Sequence, residues 1–356
     1  MKKWAAAITA IAVTIASLWF LTRLLEPKYT TRPVEGALTG EYYDQSGYND
    51  VLIIGDCEVY ENISPITLWR EYGISSYIRG SSQQLVWQSY YLLEEALKYD
   101  KPKVVVWSVL AMVYDTPQKE AYNRMTIDGM RLSPLKWANV QASALPQEEK
   151  LSYVFPLLRY HDRWQELTKD DFRYIFRRPQ VSVAGYMMRS DSLGSGRIPD
   201  PPRLADYTFG DTAWLYLEKM RQLCEKENIR FVLLKAPSLY PPWYAEYNQQ
   251  IADYAAKHNL AYYNALEEQE AIGLDWQTDT YDGGLHLNLS GSEKCAAWLG
   301  EKLTASGDIP DRRSDSKYTE IWQKNEAAYD ALAATQAEEL RTEGKVETIM
   351  IGEIPQ

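Results

Sequence analysis

The sequence predicts an α/β protein, a three-layer α/β/α sandwich built on a central parallel sheet, and two observations support that reading. Short apolar runs stop abruptly at glycine or a charged residue, as Val51-Leu52-Ile53-Ile54 does at Gly55-Asp56. A run of that kind is what a strand buried on both faces looks like. Segments with helical spacing alternate with these runs, which implies βαβ units. The apolar stretch at the N-terminus stands apart from all that follows.

Taken in order, Met1-Lys2-Lys3 leads into an almost unbroken apolar run from Trp4 to Phe20, continuing past Thr22 and Arg23 to Leu24 and Leu25. A membrane-spanning helix needs about 20 mostly apolar residues, and this run supplies them. A cleaved signal peptide has a shorter apolar core and ends at a small-residue site; after Leu25 comes Glu26-Pro27-Lys28-Tyr29 instead. Residues 1–25 therefore read as a membrane anchor, with a signal segment as the alternative. The lysines at the start favour a cytoplasmic N-terminus and an extracytoplasmic body. Residues 26–50 read as a linker without a periodic apolar face.

Residues 51–310 carry the α/β pattern. Strands are expected at Val51–Ile54, Ser75–Arg79, Val104–Trp107, Phe231–Leu234 and Ala261–Tyr263. Helices are expected at Gln83–Tyr99, Trp214–Lys226, Tyr244–His258 and Ser290–Leu303. Far more chain separates the third and fourth strands than a crossover needs. The stretch at about 114–202, rich in Trp, Tyr, Arg and Pro, reads as an insertion packed over the end of the sheet where α/β folds bind ligands. Residues 311–356 form a C-terminal extension with a helical pattern over Thr319–Arg341, either packed on the body or mobile.

Composition narrows the function. A net charge of -11 argues against nucleic acid as a partner. Cys57, Cys224 and Cys295 make no disulfide framework, and His161, His258 and His286 are too scattered for a zinc site, so no metal and no cofactor is expected. The 27 Tyr and 12 Trp against 6 Phe suit half-exposed surfaces and carbohydrate-facing clefts, or reflect a compositional habit. Tyr77, Arg79, Trp87, Tyr122, Arg124, Arg159, His161, Arg163 and Trp164 are the side chains such a cleft would draw on, although packing explains each of them singly.

Two segments can carry chemistry. Gly55-Asp56-Cys57-Glu58 ends the first strand, where a side chain projects at the ligand-binding edge and a helix N-terminus favours negative charge. A cysteine there is either a competent thiolate or a small buried filler. Glu58 beside it is expected to raise the thiol pKa by like-charge repulsion. Near the end of the pattern, Asp282-Gly283-Gly284-Leu285-His286-Leu287-Asn288 brings a carboxylate and an imidazole together just before a helix, the proton-shuttling half of a triad.

Together these segments resemble the SGNH, or GDSL-like, hydrolases, a family of the flavodoxin-like α/β/α type. In that family a Gly-Asp-Ser turn after the first strand supplies the nucleophile, and a late Asp-x-x-His loop supplies the other two members. Gly55-Asp56-Cys57 matches with Cys for Ser, and Asp282 and His286 match with one extra residue between them. The resemblance implies a Cys57-His286-Asp282 triad, an oxyanion site at the backbone N–H groups of Cys57 and Gly80, and no cofactor. The family's Gly-x-Asn-Asp block is missing; Trp107-Ser108-Val109-Leu110 stands there, so the third oxyanion donor is open to Gln83, Gln84 or Asn288, and Asp56 and Glu58 are further candidate positioning residues.

A tethered domain of this kind is similar to cell-envelope proteins that work beside membrane-bound O-acyltransferases, including those of teichoic acid D-alanylation and of alginate and cellulose acetylation. The runs Glu58–Asn62 and Tyr122-Asn123-Arg124-Met125 look like a Gram-positive subgroup of that kind. The implied activity is acyl transfer or ester hydrolysis on cell-envelope polysaccharide, the implied partners a glycan or acyl donor and a membrane acyltransferase. The alternative is a catalytically inactive accessory protein that docks on the acyltransferase or binds its glycan acceptor.

Overall fold

The apolar runs form β1 (Val51–Gly55), β2 (Ser76–Gly80), β3 (Val104–Ser108), β4 (Arg230–Lys235) and β5 (Ala261–Asn264). In this computed structural model, which describes residues 2–28, 36–197 and 200–353, they make one parallel sheet in the order β2-β1-β3-β4-β5. That is the flavodoxin-like doubly wound order, whose direction reverses between β1 and β3 and opens a crevice at the carboxyl ends of those strands. β1, β2 and β3 are buried along their whole length; β1 and β3 accordingly read as continuous apolar runs, while β2 buries Ser76 and Arg79 as well, the arginine paired with Glu95.

In chain order the helices are α1 (Lys2–Leu25), α2 (Ala37–Gln45), α3 (Cys57–Tyr60), α4 (Pro65–Tyr72), α5 (Val86–Ala96), α6 (Glu120–Ile127), α7 (Pro134–Ser143), α8 (Leu157–Tyr160) and α9 (Lys169–Arg173). There follow α10 (Asp211–Lys226), α11 (Ala245–His258), α12 (Gln269–Ile272), α13 (Leu289–Thr304) and α14 (Ser316–Glu343). α4 packs on α13, and α5 on α10. Right-handed crossovers put these two pairs on opposite faces of the sheet, giving the three layers. α1 is long and apolar enough to cross a membrane and is exposed along nearly its whole length.

Two expectations change, for the linker and the insertion, and one open alternative, for the C-terminal extension, is decided. Residues 26–50 are not a bare linker, because α2 buries Ala37, Leu38 and Tyr42 in the core; residues 29–35 lie outside the described residues. The Tyr42 ring receives the Arg79 guanidinium 4.1 Å from its centroid. With alanine, threonine and tyrosine on its inner side, α2 carries too little hydropathy to show a stripe. The C-terminal extension is part of the body: Trp322 of α14 stacks on Trp69 with centroids 5.1 Å apart and planes 7° from parallel. Its last three residues, 354–356, fall outside the described residues, as do 198–199 of the insertion and Met1.

The insertion does not simply cover the end of the sheet. Its first half packs beside it, α7 on α5 and α6 on α2, and Ala184 O then accepts from Ile78 N at 3.0 Å along the free edge of β2. Only the following strip crosses the carboxyl ends, where Met187 N bonds to Tyr60 O at 2.8 Å and Leu193 N to Thr280 O at 2.9 Å. Tyr77, Arg79, Trp87 and Arg124, read as candidate cleft residues, are buried packing groups; Arg79 is spent on Glu95 at 3.0 Å.

Candidate active site

The turn that carries Cys57 is built from β1. Gly55 has no room for a side chain, since a Cβ there would come 2.6 Å from Ser108 Cβ of β3. Glycine is needed for this close approach between strand ends, where the sequence suggested a tight turn. Asp56 caps α3, its Oδ1 accepting from Glu58 N at 3.1 Å, and Cys57 follows as the first helical residue, half-buried. A first-turn N–H has no acceptor within its own helix, so the Cys57 amide has the character an oxyanion donor needs.

Glu58 corrects an expectation. Its carboxylate is fully buried and is held by Lys235 Nζ at 2.7 Å, with the Ser238 hydroxyl donating to the same oxygen. Lys235 also donates to Ala236 O at 2.6 Å. Glu58 is therefore neutralised from β4. The like charges that act on Cys57 are Asp56 and Glu61.

The His loop is closed by a bridge between Thr280 and Leu287. Thr280 Oγ1 donates to His286 O at 2.7 Å and accepts from Gly284 N at 2.8 Å. Gly283 and Gly284 take φ of +82° and +108°, a backbone that favours glycine. This turn absorbs the extra residue, so Asp282 still reaches the imidazole: its Oδ2 lies 2.7 Å from His286 Nδ1, while Oδ1 accepts from His286 N at 2.9 Å. Asn62 then stitches the site together. Its Nδ2 donates to Pro237 O at 2.9 Å and its Oδ1 accepts from Leu287 N at 2.8 Å, joining the loops after β1, β4 and β5.

Cys57 and His286 are adjacent and act on each other's charge. His286 Nε2 is nevertheless buried without an aligned hydrogen bond. The two side chains stand close enough to interact, with no aligned hydrogen bond between them.

A second carboxylate faces the same imidazole. Glu61 Oε2 lies 3.5 Å from His286 Nδ1 and accepts a hydrogen bond from the Tyr281 hydroxyl. The Tyr281 ring stacks near-parallel to the imidazole, 5.9 Å between centroids and 13° between planes, beneath the Arg189 guanidinium at 4.5 Å. Neither Glu61 nor Tyr281 was singled out from sequence. The one available signal was position, since Glu61 stands four residues after Cys57, one helical turn further on.

Burial sets the electrostatics. It pushes the Cys57 thiol up to about 11 although His286 works in the opposite direction. Burial opposes a charged His286, yet the Asp282 hydrogen bond, Cys57 and Glu61 outweigh it and raise the imidazole to about 11. Burial and then Glu58 lift Asp56 to about 7, and burial raises Glu61. Burial lifts the Tyr114 phenol to about 12, with Asp56 and Cys57 adding to it.

Of the remaining predicted residues, Gly80 ends β2 in register with Gly55, and a Cβ on it would press on Tyr60 at 3.0 Å. Gln83 takes a left-handed φ of 49° in the turn before α5. The Gln84 amide is spent on Arg79 O at 3.2 Å and Ser89 Oγ at 3.0 Å. Asn288 caps α13 through Gly291 N at 3.2 Å and donates to Thr278 O at 2.7 Å. Both amides thus serve the scaffold. Ser108, at the missing block, keeps a buried hydroxyl without a hydrogen-bond partner. Among the described residues no three His, Cys, Asp or Glu groups stand together as a metal would need.

No known family pattern matches this sequence, and no curated protein matches it. Solved structures do. A protein from Bacteroides fragilis assigned as an acylhydrolase aligns over 75% of this chain and 94% of its own, at 10% identity and a TM-score of 0.38. A protein from Desulfitobacterium hafniense assigned to the G-D-S-L lipolytic family aligns over 71% and 99%, at 11% identity and a TM-score of 0.34.

Proposed function

We propose that this chain is a membrane-tethered acyltransferase or esterase of the SGNH type, acting on O-acyl groups of cell-envelope polysaccharide outside the cytoplasm. The observation that carries the reading is the convergence of Cys57, His286 and Asp282 at the β1/β3 crevice, with the 2.7 Å Nδ1–Oδ2 contact orienting the imidazole. In this mechanism the Cys57 thiolate attacks the acyl carbonyl, a C–S bond forms and the C–O bond of the ester breaks. The departing alkoxide takes its proton from the His286 imidazolium. A glycan hydroxyl or water then attacks the thioester, giving its proton to His286 and releasing the thiolate. Asp282 holds the imidazole tautomer, and the amides of Cys57 and Gly80 stabilise the oxyanion. α1 is the tether, with its lysines on the cytoplasmic side.

A thioester made from an oxygen ester lies uphill, so this nucleophile suits relay between carriers better than hydrolysis. One observation favours a second reading, a non-catalytic accessory protein that docks on a membrane O-acyltransferase or binds its glycan acceptor: burial keeps the Cys57 thiol protonated at neutral pH. Incubation with p-nitrophenyl acetate followed by intact-mass analysis separates them. The enzyme gains one acetyl group on Cys57, increasingly so at alkaline pH, and Cys57→Ala gains none there. A folded wild-type chain that is never acetylated at Cys57 sinks the enzyme reading.

A further inference from the structure

The foot of α1 is not a free hinge. Lys28, buried, donates to Leu24 O at 3.0 Å and Glu26 O at 2.6 Å, capping the last turn of the helix. Asp171 of α9 lies 3.8 Å from that same ammonium and 2.7 Å from Arg163, whose other nitrogen donates to Leu25 O at 2.6 Å. Arg23 Nε donates to Ile175 O at 3.0 Å. α1 is therefore clamped at its end by residues 163–175 of the insertion, and the level of that segment relative to α1 is set.

That level is informative. The Phe176 ring stands 6.2 Å from the Trp19 ring. Trp19 lies six residues inside the end of α1, on the order of 9 Å along the axis at 1.5 Å per residue. Phe176 is 76% exposed and Trp164 65% exposed, and Phe155, Leu158 and Phe172 are exposed beside them. Large apolar side chains gathered in this way mark an interaction surface. Residues 150–180 hold seven Lys and Arg against four Asp and Glu, although the whole chain is acidic. Aromatic rings with interspersed arginines, beside the end of a membrane span, match the composition of an interfacial segment.

We propose that Phe155–Phe176 forms a collar that seats in the headgroup region of an anionic phospholipid bilayer around the exit of α1. The inference rests on the reading of α1 as a membrane span. The collar adds a second membrane contact, so the body is held at a fixed height and tilt. Arg159 in the collar pairs with Glu120 at the start of α6 at 2.5 Å, which ties that height to the first part of the insertion.

The test uses the full chain in nanodiscs of phosphatidylglycerol and phosphatidylcholine, in a Cys57→Ala background whose remaining thiols are buried. Nitroxide labels on Ile11→Cys, Phe172→Cys, Phe176→Cys and Glu225→Cys are compared for collision with oxygen and with a water-soluble nickel chelate. The collar predicts that labels at 11, 172 and 176 favour oxygen while the label at 225 favours nickel. Replacing phosphatidylglycerol by phosphatidylcholine should shift 172 and 176 towards nickel and leave 11 unchanged. A lipid signal at 11 with water-like signals at 172 and 176 overturns the collar and leaves that face to a protein partner. Water-like signals at 11, 172 and 176 alike overturn the span and the collar together. A water-like signal at 11 with lipid-facing signals at 172 and 176 overturns the span and, with it, the collar as a seat around the exit of α1.

Discussion

At the carboxyl edge of the sheet, Asp56, Glu58 and Lys235 are ionisable groups held away from water, whereas at the foot of α1 Trp164, Phe172 and Phe176 are aromatic rings held in it. Both regions run against ordinary burial, and they do so for different reasons. The buried charges persist because each is paired or hydrogen-bonded by a neighbouring loop. Among the described residues the exposed rings have only sparse ring contact, such as that of Phe176 with Trp19, although the backbone beneath them is clamped to α1 by Arg163 and Arg23. The function assigned to each region is a proposal.

Substitutions can break or sharpen that contrast. The largest effect is expected from Cys57→Ala, which removes the sulfur proposed to accept the acyl group and should abolish acetylation from p-nitrophenyl acetate while leaving the urea midpoint near wild type. Lys235→Met should cost about 3–5 kcal/mol in urea unfolding, because it strands the buried Glu58 carboxylate without its ammonium. Wild-type stability in that variant would mean the buried edge is not held by its charges. Asp282→Asn should lower the acyl-transfer rate by about 10²- to 10⁴-fold with little change in stability, since the imidazole loses its 2.7 Å carboxylate partner.

Glu61→Gln should have a subtler effect. Glu61 raises both the Cys57 thiol and the His286 imidazole, so removing its charge should move both downwards, by less than about one unit. For the wild type, Cys57 alkylation by iodoacetamide should rise with pH to a midpoint above the ordinary thiol value of 9.0, towards about 11. In Glu61→Gln that midpoint should fall, and an unchanged profile would make Glu61 a mere scaffold residue. The smallest effect belongs to the other region. Phe176→Ser should leave the stability of the body within about 0.5 kcal/mol.

Much of the fold was legible because β1 and β3 are buried on both faces and apolar almost throughout, and because helices of the α5, α10 and α13 kind show a stripe against the sheet. α2 was not legible, since its buried side uses tyrosine, threonine and alanine. Cys57, Asp282 and His286 could be picked out as two local motifs, each next to a strand or helix end. Glu61 and Tyr281 could not, because their meeting depends on a loop after β1 and a loop after β5 being brought together by Asn62. Glu58 was misjudged for the same reason: adjacency to Cys57 in sequence suggested repulsion, while Lys235, far along the chain, neutralises it.

By itself, then, the sequence determined the strand-and-helix alternation, the apolar N-terminal helix and the residue types at the two chemical motifs. These follow from periodicity and local turn chemistry, which need no distant partner. Tertiary structure alone decided the strand order, the Lys235 partner of Glu58, the second carboxylate on His286 and the clamp on α1. Each of those is a contact between segments far apart in the chain, and pairing across such distances is set by how the layers pack.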